Sequence, residues 1–317
     1  MAKKAYRVRN WKNYNRSLVS RGSLMLWFSN DLAKKWKSKT ISFQKGRNKY
    51  FSDEVILCAL SLKQLFRITL RQTEGLLRSI VQLMKLDLIV PSYTTICRRS
   101  KLLKIDLNKN TTNEEKHIVV DSTGIQVIGE GEWKKLKHGQ TRYQVWKKLH
   151  IAMNLKDQNI LSAEVTDSVR QDGNYLANLL NKIPGKIVSV RGDGAYDKKP
   201  CYKAIFSKGA KAIIPPQHNA IVQRNKYKKD PSLISRDNVI KRLGNGPDRP
   251  QNLKIWKEET NYHQRSLVET MMSRMKTIFG DKMRAKSFEN QRTDLFIRCY
   301  VMNKINELGL PVSSAIC

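Results

Sequence analysis

Acidic residues are scarce in this chain. Asp and Glu number 27 among 317 residues, against 60 Lys and Arg, for a net charge of +33. No fold needs that excess. It implies a polyanionic partner, nucleic acid first and an anionic membrane surface second. Cysteine is sparse too. Cys58, Cys97, Cys201, Cys299 and Cys317 are far apart, form no CxxC pair and are odd in number. That argues against a disulfide framework or a zinc ribbon, and for a reducing cytoplasm. The five histidines do not cluster at ligand spacing. A metal would therefore have carboxylate ligands and be a hard ion such as Mg²⁺. No apolar run approaches the roughly 20 residues of a membrane span. The N-terminus, MAKKAYRVRNWKNYNR, lacks the apolar core of a signal peptide.

The charge is unevenly placed. Residues 1–50 carry 14 Lys and Arg against one acid, Asp31. Trp11, Leu24, Leu26, Trp27 and Phe28 interleave with the cations. This basic arm reads either as a solubilising extension or as an arm along a nucleic-acid backbone, and the aromatics favour the second. Residues 51–104 read as three helices. Ser52 ahead of Asp53 and Glu54 is a helix start, and Thr69 with Gln72 has the form of a capping box. Pro91 and Ser92 then break the chain before YTTICRRSKLLK. Three short helices ending in one that presents Arg98, Arg99 and Lys101 suit a helix-turn-helix type DNA-binding domain over 51–110. A plain helical bundle with a charged last helix is the alternative.

Beyond a polar linker the pattern changes. HIVVDSTGIQVIG, RYQVWKKLHIAMNL and NILSAEVTDS read as strands, the first running into a hairpin. DGNYLANLLNKI reads as a helix, KIVSVRGDGAYD as a strand, KPCYKAIFSKG as a helix and AKAIIPP as a strand. Strands followed by alternating units predict an α/β fold, a mixed sheet with helices on its faces. Residues 217–255 are polar, basic and punctuated by Gly and Pro, and read as an insertion. Two amphipathic helices close the chain. The expected organisation is a basic arm (1–50), a helical domain (51–110) and a catalytic domain (111–317) carrying that insertion.

Three acids stand out. Asp121 is read at the end of one hydrophobic strand, HIVVD, and Asp193 at the end of another, IVSVRGD. An unpaired charge at a buried strand end is costly, and two such ends adjacent in one sheet place two carboxylates side by side. The third acid lies in YHQRSLVETMMSRMK. On a helical wheel with Arg265 at zero, Lys276 falls at about 20°, Glu269 at about 40° and Tyr262 at about 60°. Leu267, Val268, Met271, Met272, Met275, Ile278 and Phe279 fall between about 200° and 340°. One helix thus has an apolar face and a narrow stripe of one aromatic, two cations and one carboxylate. Glu269 is the partner of Arg265 in an intrahelical ion pair, a surface charge, or a metal-binding carboxylate beside groups that hold a phosphate backbone. Three carboxylates together repel unless cations lie among them. A divalent pair would satisfy all three and serve an in-line phosphoryl displacement. Trp133, Trp146 and Trp256 are candidates to stack on an unpaired base, with core packing the better account of Trp146.

These residues resemble the DDE transposases of bacterial insertion sequences, in particular the family-five group. The likeness has three parts: D-S-T-G at Asp121, G-D-G-A-Y-D at Asp193, and Tyr262, Arg265, Glu269 and Lys276 in the order Y-x2-R-x3-E-x6-K. The last is the most specific, being fixed at four positions. GEGEWKKLKHGQ, WKKLHIA, IIPP and YTTICRRSK are similar to that group as well, so the likeness spans most of the chain after the arm. It implies a ribonuclease-H-like catalytic fold preceded by an all-α DNA-binding module. It implies that Asp121, Asp193 and Glu269 are catalytic and bind two Mg²⁺, with Mn²⁺ as a substitute, and that Tyr262, Arg265 and Lys276 contact DNA near the cleaved end. The expected protein is an insertion-sequence transposase. It would bind terminal inverted repeats, cut the element ends in a metal-dependent step and join the freed 3′ hydroxyl to target DNA. Its partners would be double-stranded DNA, as inverted repeats and as target, and at least a second copy of the chain, since two ends are paired. Its place would be the bacterial cytoplasm, at the nucleoid. The rivals are a nuclease or resolvase of the same fold that only hydrolyses, and a DNA-binding repressor with a dead site. The intact acids argue against the second.

Overall fold

A computed structural model describes residues 6–28, 30–38, 50–108, 114–128, 145–223 and 230–315. The chain divides into two compact units, Met1–Ile105 with Ala285–Cys317, and Asp106–Arg284.

The first unit opens with a short strand, β1 (Tyr6–Val8), and helices α1 (Trp11–Ser20) and α2 (Asn30–Lys34). Three helices follow: α3 (Asp53–Leu65), α4 (Leu70–Leu83) and α5 (Tyr93–Ser100). Their starts are where the capping signals fall. Ser52 accepts from the Val55 N–H, Thr69 and Gln72 complete a capping box, and Ser92 accepts from the Thr95 N–H. Each cap satisfies an N–H that the first helical turn leaves without a partner, at about 1 kcal/mol apiece.

Two features of this unit differ from the sequence reading. Aromatics of the basic arm are core rather than surface: Phe28 and Trp36 are buried with ring centroids 5.6 Å apart, and Trp36 Nε1 donates to the Ile89 carbonyl at 2.7 Å. Only part of the arm is left to lie on a ligand, Trp11 among it, which is exposed. The last helix, Phe288–Glu307, was expected in the catalytic domain but packs on α3 and α5. Lys63 Nζ sits 2.9 Å from both oxygens of Asp294, and Thr293 Oγ1 donates to the Ser100 carbonyl at 2.8 Å. A strand at the far end of the chain, Ser313–Ala315, pairs antiparallel with β1.

The second unit is built on one mixed sheet centred on β2 (Lys116–Val127). β3 (Trp146–Asn154) lies antiparallel to β2, and β4 (Ile160–Asp167) antiparallel to β3. On the other side β5 (Ile187–Arg191) runs parallel to β2, and β6 (Lys211–Ile213) parallel to β5. The order is β4-β3-β2-β5-β6. The antiparallel neighbours come from the run of strands and the parallel ones from the alternating units, because a parallel pair needs a crossover connection. The crossovers contain α6 (Leu176–Asn181) and α7 (Lys199–Ser207). Leu176, Leu179, Leu180, Cys201, Tyr202 and Ile205 bury against Ile118, Val120, Ile187 and Val190.

Residues 217–255 hold regular structure that the sequence reading did not find. They contain α8 (Ile234–Leu243) and most of α9 (Arg249–Glu259). Only Ile240, Leu243 and Trp256 are buried apolar residues of these helices, too thin a stripe to show as a period. Leu243 and Trp256 pack with Ile213 of β6. Trp256 is therefore core. The helix α10 (Ser266–Phe279) then packs on β2 and buries Val268, Met271, Met272, Met275 and Phe279, the face its spacing predicts. The turn before it, Tyr262–Arg265, is a tighter 3-10 helix entered from Asn261 at a φ of 50°.

Candidate active site

Asp121 is not at the end of its strand. β2 runs on to Val127, and β3 pairs with it unbroken from Ile118 to Gln126. The sequence Ser-Thr-Gly looked like the way into a hairpin. Gly124 instead makes room for the Trp146 ring, from which a Cβ there would stand 3.2 Å. Trp146 is thus a packing residue. The neighbour that does end at this level is β5, whose last register pair with β2 is Val119 with Arg191. Two residues beyond that pair are Asp121, within β2, and Asp193, just past the end of β5. Equal steps from one parallel register pair bring both to the same level, near enough for Asp193 to act on the Asp121 carboxyl.

Asp193 opens the 3-10 turn Gly194–Tyr196, its Oδ1 accepting from the Ala195 N–H at 2.9 Å. Glycine is required before it. A Cβ on Gly192 would stand 2.9 Å from the Tyr196 ring and 3.2 Å from Val120.

Arg265 connects the third acid to this pair. Its Nη1 lies 3.4 Å from Asp121 Oδ2, and its Nη2 donates to Glu269 Oε1. Glu269 stands in the first turn of α10, where the helix N-terminus favours negative charge. Burial pushes the Asp121 carboxyl up to about 6. The Ser122 N–H and Arg265 pull it down, while Asp193 and Glu269 push it up again. Asp193 and Glu269 thus both act on Asp121. Tyr262 is raised by burial first and also feels Arg265, Asp193 and Glu269. Its ring packs on Trp256 with centroids 5.9 Å apart, and Lys257 Nζ lies 5.6 Å from its centroid. Lys276, two turns beyond Glu269, is half-buried and has no ion-pair partner among the described residues.

Among the described residues no three His, Cys, Asp or Glu side chains close on one point as a ready cage for a metal. The Arg265 guanidinium lies between Asp121 and Glu269 instead. Three carboxylates against one guanidinium leave a net negative, all-oxygen donor set, which fits hard divalent ions taking the place of that cation.

Several residues that shape the site carry no signal in the sequence. Ser122 Oγ donates to Asp172 Oδ1 at 2.8 Å, and Lys148 Nζ lies 2.9 Å from the same oxygen. Asp172 opens DGNYLANLLNKI, read from the sequence as a helix, where an acid in the first turn is ordinary; the structure makes Asp172–Tyr175 a 3-10 turn. Beside it, His150 is fully buried, is pushed down to about 4 by burial, and stacks on Tyr175. Asp197, the last letter of G-D-G-A-Y-D, was within reach of motif reasoning. It is buried, and accepts from Arg236 Nε at 2.6 Å, the Gln217 N–H at 2.9 Å and the Tyr202 hydroxyl at 3.0 Å. With Gln217 Nε2 donating to the Gly194 carbonyl at 3.2 Å, it fastens the 217–255 segment to the Asp193 turn.

In the first unit, Arg98 and Lys101 are exposed at the end of α5. Arg99 is turned inward, paired with Asp53 and donating to the Phe51 carbonyl at 2.8 Å. Trp133 lies outside the described residues, with all of GEGEWKKLKHGQ.

Comparison with known proteins gives the family. Two family models, each described as a Transposase DDE domain, match the chain, one over residues 19–130 and the other over residues 112–304. The second takes in the whole sheet and all three acids, and the chain belongs to the DDE transposase family. It is a transposase, an enzyme that cleaves DNA and transfers the cut strand. Similar solved structures include a piggyBac transposase synaptic complex with hairpin DNA, at 10% identity over 96% of this chain and 76% of that one, with a TM-score of 0.41. Another is a Drosophila P element transposase strand transfer complex, at 12% identity over 93% of this chain and 85% of that one, with a TM-score of 0.32. No helix among the described residues is long and apolar enough to cross a membrane.

Proposed function

We propose that this DDE transposase serves an insertion sequence, with Asp121, Asp193 and Glu269 as its catalytic acids on a ribonuclease-H-like sheet. The observation that supports the reading is the Val119–Arg191 register pair, two residues before Asp121 and Asp193, together with Arg265 joining Glu269 to Asp121. The sheet order, three antiparallel strands followed by two parallel to β2, supports the fold.

DDE transposases use divalent metal ions. Here the three acids would hold two, Mg²⁺ first and Mn²⁺ as a substitute, and such ions stabilise charge on the attacking and leaving oxygens of a phosphoryl transfer. The chain's own residues do the positioning. The Ser122 N–H fixes one oxygen of Asp121. Arg265, once displaced from the acids, is free to pair with a DNA phosphate, and Lys276 and Tyr262 extend the same stripe along the backbone. Water and then the 3′ hydroxyl are the nucleophiles, so no Tyr or Ser attacks phosphorus. Arg98 and Lys101, with the basic arm, recognise the terminal inverted repeats. Pairing two ends needs at least a dimer, and the DNA places the chain at the bacterial nucleoid.

The test uses purified protein, target DNA and oligonucleotides matching the borders of the gene, pre-cut to leave a 3′ hydroxyl. Joined product in Mg²⁺ is expected, and Asp121→Asn, Asp193→Asn and Glu269→Gln should each abolish it. Hydrolysis without joining would reduce the activity to that of a nuclease. Mg²⁺-dependent cleavage that survives Asp121→Asn would overturn the site.

A further inference from the structure

The turn Asp172–Tyr175 touches both elements that carry the aspartates, and neither the family nor the signature gives it a task. On the side of β2, Asp172 Oδ1 accepts from Ser122 Oγ at 2.8 Å, with Lys148 Nζ at 2.9 Å and His150 Nδ1 at 3.4 Å from the same oxygen. Ser122 is also the residue whose N–H donates to Asp121 Oδ1, again at 2.8 Å. Strand alternation puts Ser122 and Asp121 on opposite faces, so Asp172 stands behind the catalytic acid. On the side of Asp193, Gln171 Oε1 accepts from Lys198 Nζ at 2.5 Å, and the Gly173 carbonyl accepts from the Cys201 thiol at 3.4 Å. A Cβ on Gly173 would stand 3.0 Å from Cys201 Sγ and 3.7 Å from the Ala195 carbonyl, one residue past the start of the Asp193 turn. The Tyr196 hydroxyl, buried without a hydrogen-bond partner, lies within electrostatic range of Asp172, Asp121 and Asp193 together.

We propose that Asp172 is a positioning residue for the acid pair. Through Ser122 it fixes how Asp121 projects from β2, and through its own turn it fixes the span from Asp121 to Asp193. The Ser122 hydroxyl and the Lys148 ammonium converge on one carboxylate oxygen, so the hydroxyl is held in one place and the residue bearing it has little freedom. Acids held this way lose less on binding a cation. The inference rests on the assignment of Asp121 and Asp193 to the active site.

The test is Mn²⁺ binding to the full chain, read by the resonance of free Mn²⁺ and by calorimetry, beside the Mn²⁺ dependence of end cleavage. Asp172→Asn should weaken Mn²⁺ binding about tenfold and move half-maximal cleavage by the same factor, with a much smaller change in rate at saturating Mn²⁺. Asp172→Glu should recover part of the loss. Ser122→Ala, which deletes one hydroxyl, should weaken binding roughly threefold, and decides the matter if Asp172→Asn does not fold. Unchanged Mn²⁺ binding in the folded variant overturns the proposal. So does a saturating rate that falls while the Mn²⁺ dependence stays put. Asp121→Asn runs in parallel: wild-type Mn²⁺ binding there would show that the site assignment, rather than the role of Asp172, is at fault.

Discussion

Arg265 and Asp121, 144 positions apart in the chain, meet at 3.4 Å. The same guanidinium holds Glu269, so one side chain ties the helix α10 to the central strand. It supplies the positive charge that three neighbouring carboxylates need. Arg265 pairs with both Asp121 and Glu269, and the proposed metal binding there would displace it.

Arg265→Gln should therefore destabilise the metal-free protein more than the metal-loaded one. A loss of about 1–2 kcal/mol in EDTA is expected, since Asp121 keeps its burial and loses its partner. Added Mn²⁺ should close most of that gap. Equal melting temperatures for variant and wild type in EDTA would contradict this role.

The pH dependence follows from Asp121. Its carboxyl stands at about 6 in the folded chain, above its ordinary value of 3.8. A raised folded value means that stability from this group is present below the ordinary carboxylate range and lost as pH rises through about 6. Asp121→Asn removes that loss. In EDTA the variant should gain up to about 3 kcal/mol over wild type at pH 7.5 and nearly nothing at pH 3.5. Urea unfolding at the two pH values measures it, and a gain independent of pH counts against the assignment.

His150 works in the opposite direction. Burial holds its ring at about 4, below the ordinary 6.5. A depressed folded value means stability that is present above 6.5 and lost as pH falls through about 4. His150→Gln should flatten the acid limb of the stability curve between those values. An acid limb identical to wild type would place the proton elsewhere.

Asp197 and Arg236 form a buried pair, and leaving either charge alone is expensive. Asp197→Ala should cost about 3–5 kcal/mol, and the double change with Arg236→Met less than the sum of the two single changes. Chemical denaturation of the four proteins gives the coupling. Additive losses would show that the two residues do not act as a unit.

The helical unit offers a contrast between neighbours. Arg98→Ala and Lys101→Ala should each weaken end binding and lower its salt slope by about 1. Arg99→Ala should act mainly on folding, because it breaks the pairing with Asp53 and the bond to the Phe51 carbonyl. Anisotropy titrations across salt, set beside thermal melts, separate the two effects.

Five strands of the sheet were legible in the sequence as apolar runs set off by Gly, Pro or Asp, while the two-residue strand Lys282–Met283 beside β2 was not; the caps at Ser52, Thr69 and Ser92 were legible because local hydrogen bonding alone decides them. The apolar face of α10 was legible from its period. The level of Asp121 within its strand was not, since pairing with β3 overrides the turn tendency of Ser-Thr-Gly. Arg99 read as a surface cation because nothing in its neighbourhood along the chain announces Asp53, a partner 46 positions away. Asp172 was hidden for the same reason: its meaning comes from Ser122, 50 positions earlier.

The pairing of β1 with Ser313–Ala315 sets the order in which this protein can be completed. Arg9 and Ser314, joined by a hydrogen bond beside that ladder, are 305 positions apart. At about 5–20 residues per second, the first strand waits roughly 15–60 s on the ribosome for its partner. The sheet unit, continuous from Asp106 to Arg284, leaves the ribosome before that wait is over. The half that carries the acids can thus be assembled on a chain whose other half is still open.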